Sequence, residues 1–243
     1  MKIKFQYLSD IHLELLSQQD LSFLLHNIKN ITNILILAGD IGNPFDELYE
    51  QFLAGVSKKF RKIFLISGNH EYYYHTIEET NVQIEKICKY YGISFLNNTS
   101  EYYNGFCFAG TTLWSFIENK NFITNDIVKI KDFNVEIYNE LNRKSRHFLE
   151  EVIAENEDNI IVITHHVPSN KLVDKEYEDS PLLEWYYNDL GEMMDRGKGR
   201  VRCWVYGHTH KGRIDLLRGI KMMSNPLGYK YENRWFDLNR VNF

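Results

Sequence analysis

Ile34-Leu35-Ile36-Leu37-Ala38-Gly39-Asp40 is the stretch on which the reading of this chain turns. Five apolar residues in a row, with no polar alternation, predict a strand buried on both faces, as in the interior of a parallel sheet. The run stops at a glycine and delivers a carboxylate at its end. The same pattern recurs along the chain. Residues 63–66 lead into Gly68-Asn69-His70-Glu71, residues 160–163 into Thr164-His165-His166, and residues 201–206 into Gly207-His208-Thr209-His210. Nearer the start, Lys2, Lys4 and Gln6 alternate with Ile3, Phe5 and Tyr7, the period of a half-buried strand, and lead to Asp10-Ile11-His12.

Between these strands the periodicity changes to that of helices. Residues 20–30 place Leu21, Leu24, Leu25 and Ile28 on one face, with Asp20 as the expected N-cap. Leu48, Phe52 and Val56 mark a second helix, and residues 77–91 and 134–154 two more. Strand and helix in alternation predict a layered α/β fold. Asn104-Gly105, between Tyr102-Tyr103 and residues 106–109, predicts a type I′ hairpin. The last third reads as strands at 201–206, 213–217, 221–223 and 231–238, with Arg218-Gly219 as a turn. No repeat, low-complexity tract or linker interrupts the chain, so residues 1–243 are expected to form a single domain.

A net charge of -5 gives no broad positive field, so nucleic acid is a poor candidate partner. The densest basic run, Lys58, Lys59, Arg61 and Lys62, precedes a strand at the end remote from the polar loops. Cys88, Cys107 and Cys203 are scattered and odd in number, which predicts reduced thiols and a cytoplasmic setting. The N-terminus runs straight into Asp10-Ile11-His12, leaving no room for a cleavable leader, and no apolar run reaches membrane-spanning length.

The five loops together supply two aspartates, one carboxamide and six imidazoles, a set able to hold two adjacent transition-metal ions. Their order resembles the calcineurin-like metallophosphoesterase superfamily, whose blocks read D-x-H, G-D, G-N-H-[DE], H and G-H-x-H. All five are complete here between residues 10 and 210. The resemblance implies two mixed β-sheets packed face to face and flanked by helices. It also implies that one ion takes Asp10, His12 and His210, the other Asn69, His165 and His208, with Asp40 bridging. His165 is preferred to His166 because it stands nearer the strand end. If the flanking segments are extended, Asp10 and His12 leave the same face, as do His208 and His210.

Two dications against two carboxylates leave about two positive charges, suited to a phosphate ester attacked at phosphorus by metal-activated hydroxide. His70 is the candidate proton donor to the leaving group. His166 is expected either to contact a phosphoryl oxygen or to orient the site from behind. Manganese is the expected metal, with iron, zinc, nickel or cobalt as alternatives.

Other residues take plainer readings. His26 and His147 read as surface residues, and His75 as lying away from the site. Tyr72-Tyr73-Tyr74 reads as packing with a possible role as a substrate wall, Trp114 as a core anchor and Asn225-Pro226 as a turn. Residues 118–132 are the best candidate for a mobile lid.

Within the superfamily, Asp40 is followed by Ile41-Gly42-Asn43-Pro44, which lacks the Asp-Arg pair of protein Ser/Thr phosphatases. Asn43 also stands where purple acid phosphatases carry a ligating tyrosine. His70 differs from the G-N-R of lipid A pathway pyrophosphohydrolases. Class III cyclic-nucleotide phosphodiesterases share G-N-H, a His-His pair and G-H-x-H and are the closest comparison, although they usually carry an aspartate at the position of Asn43. The expected activity is phosphodiester hydrolysis on a small-molecule ester. A phosphomonoesterase or nuclease is the alternative, and a silent interaction scaffold of the same fold the reading from another class. No obligate protein partner is evident.

Overall fold

Parallel strands need helical crossovers, and the predicted helices supply them. The computed structural model describes residues 3–157, 159–229, 232 and 235–242. Strands β1 (Gln6–Leu8), β2 (Ile34–Ala38), β3 (Lys62–Ile66) and the short β4 (Ser94–Phe95) form a four-stranded sheet in that order, paired in parallel throughout. Helices α1 (Gln18–Asn27), α2 (Glu47–Ser57) and α3 (Ile77–Tyr91) cover its outer face, where Leu21, Phe52 and Ile84 pack on Leu35, Leu37 and Leu65.

A second sheet has the order β5-β6-β7-β8-β10-β9. It comprises β5 (Thr99–Tyr103), β6 (Phe106–Thr111), β7 (Ile160–Thr164), β8 (Val201–Tyr206), β9 (Arg213–Leu217) and β10 (Ile220–Ser224). Its two hairpins are antiparallel and its centre is parallel. After the short α4 (Asn125–Lys129), helices α5 (Val135–Glu155) and α6 (Gly191–Gly197) bury Leu149, Ile153 and Met194 against Val162 and Trp204. The inner faces meet through Ile36, Phe64 and Ile66 on one side and Phe108, Ile163 and Val205 on the other; the Phe64 and Phe108 rings stack at 4.0 Å. The result is two sheets face to face with helices outside, the α/β fold the motifs implied.

Three expectations need correction. Helix α1 starts earlier, because Ser17 is the N-cap and Asp20, three residues on, closes a capping box by accepting from Ser17 N at 2.9 Å. Strand β1 is buried on both faces: Gln6 lies inside, its Nε2 donating to Lys29 O at 2.9 Å and its Oε1 accepting from Ile31 N and Thr32 N. A glutamine can be buried there because both ends of its amide find partners. Residues 231–238 carry no strand among those described; Asn225 Nδ2 holds the segment through Asp237 O at 2.8 Å, and the remainder of that prediction lies outside the described residues.

The Asn104-Gly105 turn has φ of 51° and 78°, as a type I′ hairpin requires. The basic run serves the fold. Lys59 Nζ donates to Ile28 O at 2.8 Å and to Leu25 O, capping the end of α1, while Lys62 pairs with Glu101. Trp114 is buried beside Phe133 and Tyr138, as a core anchor should be.

Candidate metal centre

The polar loops leave the C-terminal ends of β1, β2, β3, β7 and β8, so both sheets deliver side chains to one edge of the sandwich. The backbone there is not extended. Asp10, His12, Asp40, His208 and His210 have φ between 49° and 73°, in the left-handed region. The same-face argument for extended pairs therefore fails; the side chains converge because each loop coils tightly. Such conformations cost about 1–3 kcal/mol each and gather where surrounding structure enforces them.

That enforcement is visible. Asp10 N donates to Gly39 O at 2.9 Å and His12 N to Asp40 O at 3.0 Å. Asp10 Oδ1 accepts from His208 N and Asp40 Oδ1 from His70 N, both at 2.8 Å. Gly39 combines φ of 83° with a site where a Cβ would lie 2.6 Å from Gly68 N. At Gly207 a Cβ would lie 2.6 Å from Asp10 Oδ2. Buried Glu71 accepts from Asp40 N, Ile41 N and Gly68 N at 2.7–3.0 Å, clamping two loops. Burial and the Asp40 carboxylate push its pKa up to about 8, against the pull of His165 and the backbone donors.

Three sets of ligand atoms each fall within 4.8 Å of one another: Asp10, His12 and His210; His12, Asp40 and His70; Asp40, His165 and His208. The Nε2 atoms of His12 and His210 face each other at 3.0 Å. Asp40 Oδ2 lies 3.9 Å from His12 Nε2 and 3.3 Å from His165 Nε2, between the outer sets. Asn69 Oδ1 lies 3.1 Å from His165 Nε2. The structure thus brings all seven expected ligands together and puts His165, not His166, beside Asp40 and Asn69.

The donors fit a pair of divalent cations. Asp10 Oδ2 and His208 Nε2 are buried without a hydrogen-bond partner, a costly state that a cation would relieve. The Nδ1 atoms are engaged from behind: His12 and His70 on Glu14 at 3.0 Å each, His210 on Glu232 at 2.7 Å, His165 on Ala38 O at 3.1 Å. This pattern aims Nε2 at the centre, as metal-ligating imidazoles require.

The electrostatics agree. Burial opposes charge on His12, yet the Glu14 hydrogen bond and the Asp40 and Asp10 carboxylates hold its pKa up at about 9. Burial likewise opposes charge on His165, but Asp40 and Asp10 hold it at about 10. Asp40, despite its burial, is held well below the usual carboxylate range by His165, His70 and His12. Burial, with His166 and His165 nearby, pushes His208 well down and keeps its lone pairs free. The carboxylates thus call for positive charge between them, which protons or dications can supply.

The centre floors a cavity of about 440 Å³ walled by Tyr73, Tyr177, Tyr186 and Tyr229. His70 lines it, with Nδ1 on Glu14. His166 does not. It is fully buried, with Nδ1 3.3 Å from Thr112 O, Nε2 3.2 Å from Tyr138 OH, and its ring 4.1 Å from that of His208. Both nitrogens are turned into protein, which places the ring behind His208 and not at the cavity wall. His75 stacks on Phe45 at 3.7 Å, and His26 and His147 are exposed. Of the three tyrosines, Tyr72 packs in the interior, Tyr73 reaches the cavity and Tyr74 is exposed. Asn43 holds its own turn, Oδ1 accepting from Phe45 N at 2.9 Å.

Sequence reasoning passed over Glu14, Asp126, Tyr229 and Glu232. Glu14, two residues beyond His12, is the one whose position alone could have drawn attention. Asp126 lies in the stretch 118–132 read as a lid and Glu232 in the predicted strand 231–238, but nothing marked either residue singly; Tyr229 sets its ring 4.9 Å from His12 and 4.6 Å from His210.

Fold and centre together define a dinuclear metallohydrolase scaffold. Residues 3–212 match the family of calcineurin-like phosphoesterases, and the chain belongs to that family. An uncharacterised protein of Acanthamoeba polyphaga mimivirus is 31% identical over 264 residues, covering 96% of this chain and 93% of its own. The fold is similar to that of a phosphopantetheinyl hydrolase from Mycobacterium tuberculosis, with TM-score 0.70, 15% identity, and 93% and 89% of the two chains covered. A dimetal phosphatase from Danio rerio is similar at TM-score 0.56 and 11% identity, over 91% and 86%. No helix among the described residues is long and apolar enough to cross a membrane.

Proposed function

We propose that this chain hydrolyses small-molecule phosphodiesters, and that residues 1–243 act as one unit. The observation that carries the proposal is Asp40. Its single Oδ2 faces His12 from one ligand set and His165 from the other, on the floor of the cavity. Bound there, two dications would lower the pKa of water and neutralise charge on the phosphoryl oxygens. The protein's own residues do the rest. Glu14 holds His70 Nδ1, which turns Nε2 towards the cavity to give a proton to the departing oxygen. Tyr73, Tyr186 and Tyr229 line the cavity, an aromatic wall suited to a planar organic substituent such as the base of a cyclic nucleotide or dinucleotide.

Mixed imidazole, carboxylate and carboxamide donors support manganese as the metal. Three free, buried cysteines support a reducing, cytoplasmic setting. A nucleic-acid substrate is disfavoured, because Lys59 and Lys62 of the basic run are engaged within the fold.

Hydrolysis of bis-p-nitrophenyl phosphate and p-nitrophenyl phosphate with added manganese tests the proposal. The diester is expected to be cleaved faster, and Asp40→Ala to abolish the activity. Faster cleavage of the monoester reassigns the protein as a phosphomonoesterase; full activity in the variant refutes the shared role of Asp40.

A further inference from the structure

Segment 118–129 crosses beside the cavity with little to hold it. Asp126, on α4, is its only buried residue. Its Oδ1 accepts from Asn69 Nδ2 and from Tyr73 OH, both at 2.9 Å. Asn69 Nδ2 is thereby turned towards α4, and Asn69 Oδ1 is turned the other way, towards His165. A carboxamide that pointed its amine at a cation could not ligate it, so this contact selects the orientation a ligand needs.

Half-buried Ile127 packs against the cluster that contains Tyr72 and Trp114, and the segment's remaining contacts are peripheral. Glu118 N and Asn119 N donate to exposed Glu184, Lys120 pairs with Glu136 at the surface, and Lys129 Nζ lies 4.9 Å from the Tyr73 ring. A backbone bond from Tyr74 N to Lys129 O at 2.7 Å marks where the segment rejoins the body of the protein. Exposed contacts of this kind are worth little each. The buried carboxylate with two donors is the polar contact through which docking of the segment reaches Asn69.

We propose that Asp126 is a positioning residue for Asn69 and couples metal binding at Asn69 to docking of residues 118–129 against the cavity. The proposal rests on the reading of Asn69 as a metal ligand. Coupling of two equilibria is reciprocal: if the ion favours the docked segment by some factor, the docked segment favours the ion by the same factor. Segment 118–129 is then a cover whose closure reports that the second ion is in place.

Hydrogen exchange of peptides covering 118–129, with calorimetric manganese titration, tests this on the full chain. After chelator treatment, adding manganese to the wild type is expected to slow exchange in the segment by about tenfold. In D126A exchange is fast and unresponsive to manganese, and one of the two ions binds about tenfold more weakly while the other is unaffected. D126N, which keeps an acceptor oxygen, and Y73F, which removes one donor to Asp126 together with the acceptor that Tyr73 OH offers Asn69 Nδ2 at 3.3 Å, each retain part of the protection. Two ions binding normally to the wild type with no change in the segment, or full manganese-dependent protection in D126A, overturns the coupling alone. Failure of the wild type to bind a second ion overturns both the coupling and the metal reading beneath it.

Discussion

Glu14 Oε1 accepts from two imidazoles at once, His12 Nδ1 and His70 Nδ1, each at 3.0 Å. One carboxylate therefore orients both an expected metal ligand and the expected proton donor. Despite the opposing effect of burial, hydrogen bonds from the His12 and His70 imidazoles depress its pKa to about 2, so it is an acceptor at every working pH. The consequence is specific. Glu14→Ala should lower kcat on the order of a hundredfold for a diester with an alkoxide leaving group, which needs a proton, and far less for a nitrophenolate, which does not. Steady-state kinetics over a series of leaving groups would check it; an equal loss across the series would assign Glu14 to metal holding alone.

At the scale of elements, the joints between loops matter more than the strands. Glu71 joins the turn after β2 to the turn after β3 through three backbone donors. Glu71→Gln replaces one acceptor oxygen with an amine facing N–H groups, and should cost about 1–3 kcal/mol. It should also weaken manganese binding without removing a ligand. Urea unfolding of metal-free protein and a manganese titration read the two effects, and an unchanged variant on both counts would dismiss the clamp.

The buried runs within β2, β3 and β7 were legible in the sequence because continuous hydrophobicity has few other uses. The seven residues expected as ligands were legible because they sit in short, ordered motifs at strand ends. Gln6 was misread because periodicity records polarity and not partners. The described end of the predicted strand, residues 235–238, was misread because aromatic residues favour strands only when a neighbouring strand accepts them, and Asn225 ties this piece down instead. Tyr229, Glu232 and Asp126 were invisible for a similar reason. Each reaches the centre from far along the chain, through contacts that only the packed sheets create.

For the molecule as a whole, the centre makes stability depend on pH in two opposed ways. His12 and His165 are held up at about 9 and about 10, so the stability they contribute without metal is complete below the unfolded histidine pKa of about 6.5 and is lost as pH rises through 9 to 10. His166 is pushed down to about 3 by burial and His165, and His208 is pushed well down, so both oppose the native state once pH falls below about 6.5. Metal-free protein should therefore melt highest near pH 6.5 and lower on either side. Manganese bound at His12 and His165 would compete with their protons, so its stabilising increment should grow with pH across that alkaline limb. Thermal melts from pH 5 to 10, with and without manganese, test the crossing. A parallel pair of curves would contradict it.

The left-handed backbone at Asp10, His12, Asp40, His208 and His210 carries a last implication. Glycine would occupy those five positions with less torsional penalty, yet it would bring no donor atom. Selection for thermal endurance and selection for turnover therefore pull against each other at the same handful of residues. Variants chosen only for ruggedness would drift towards inert proteins with the sandwich intact.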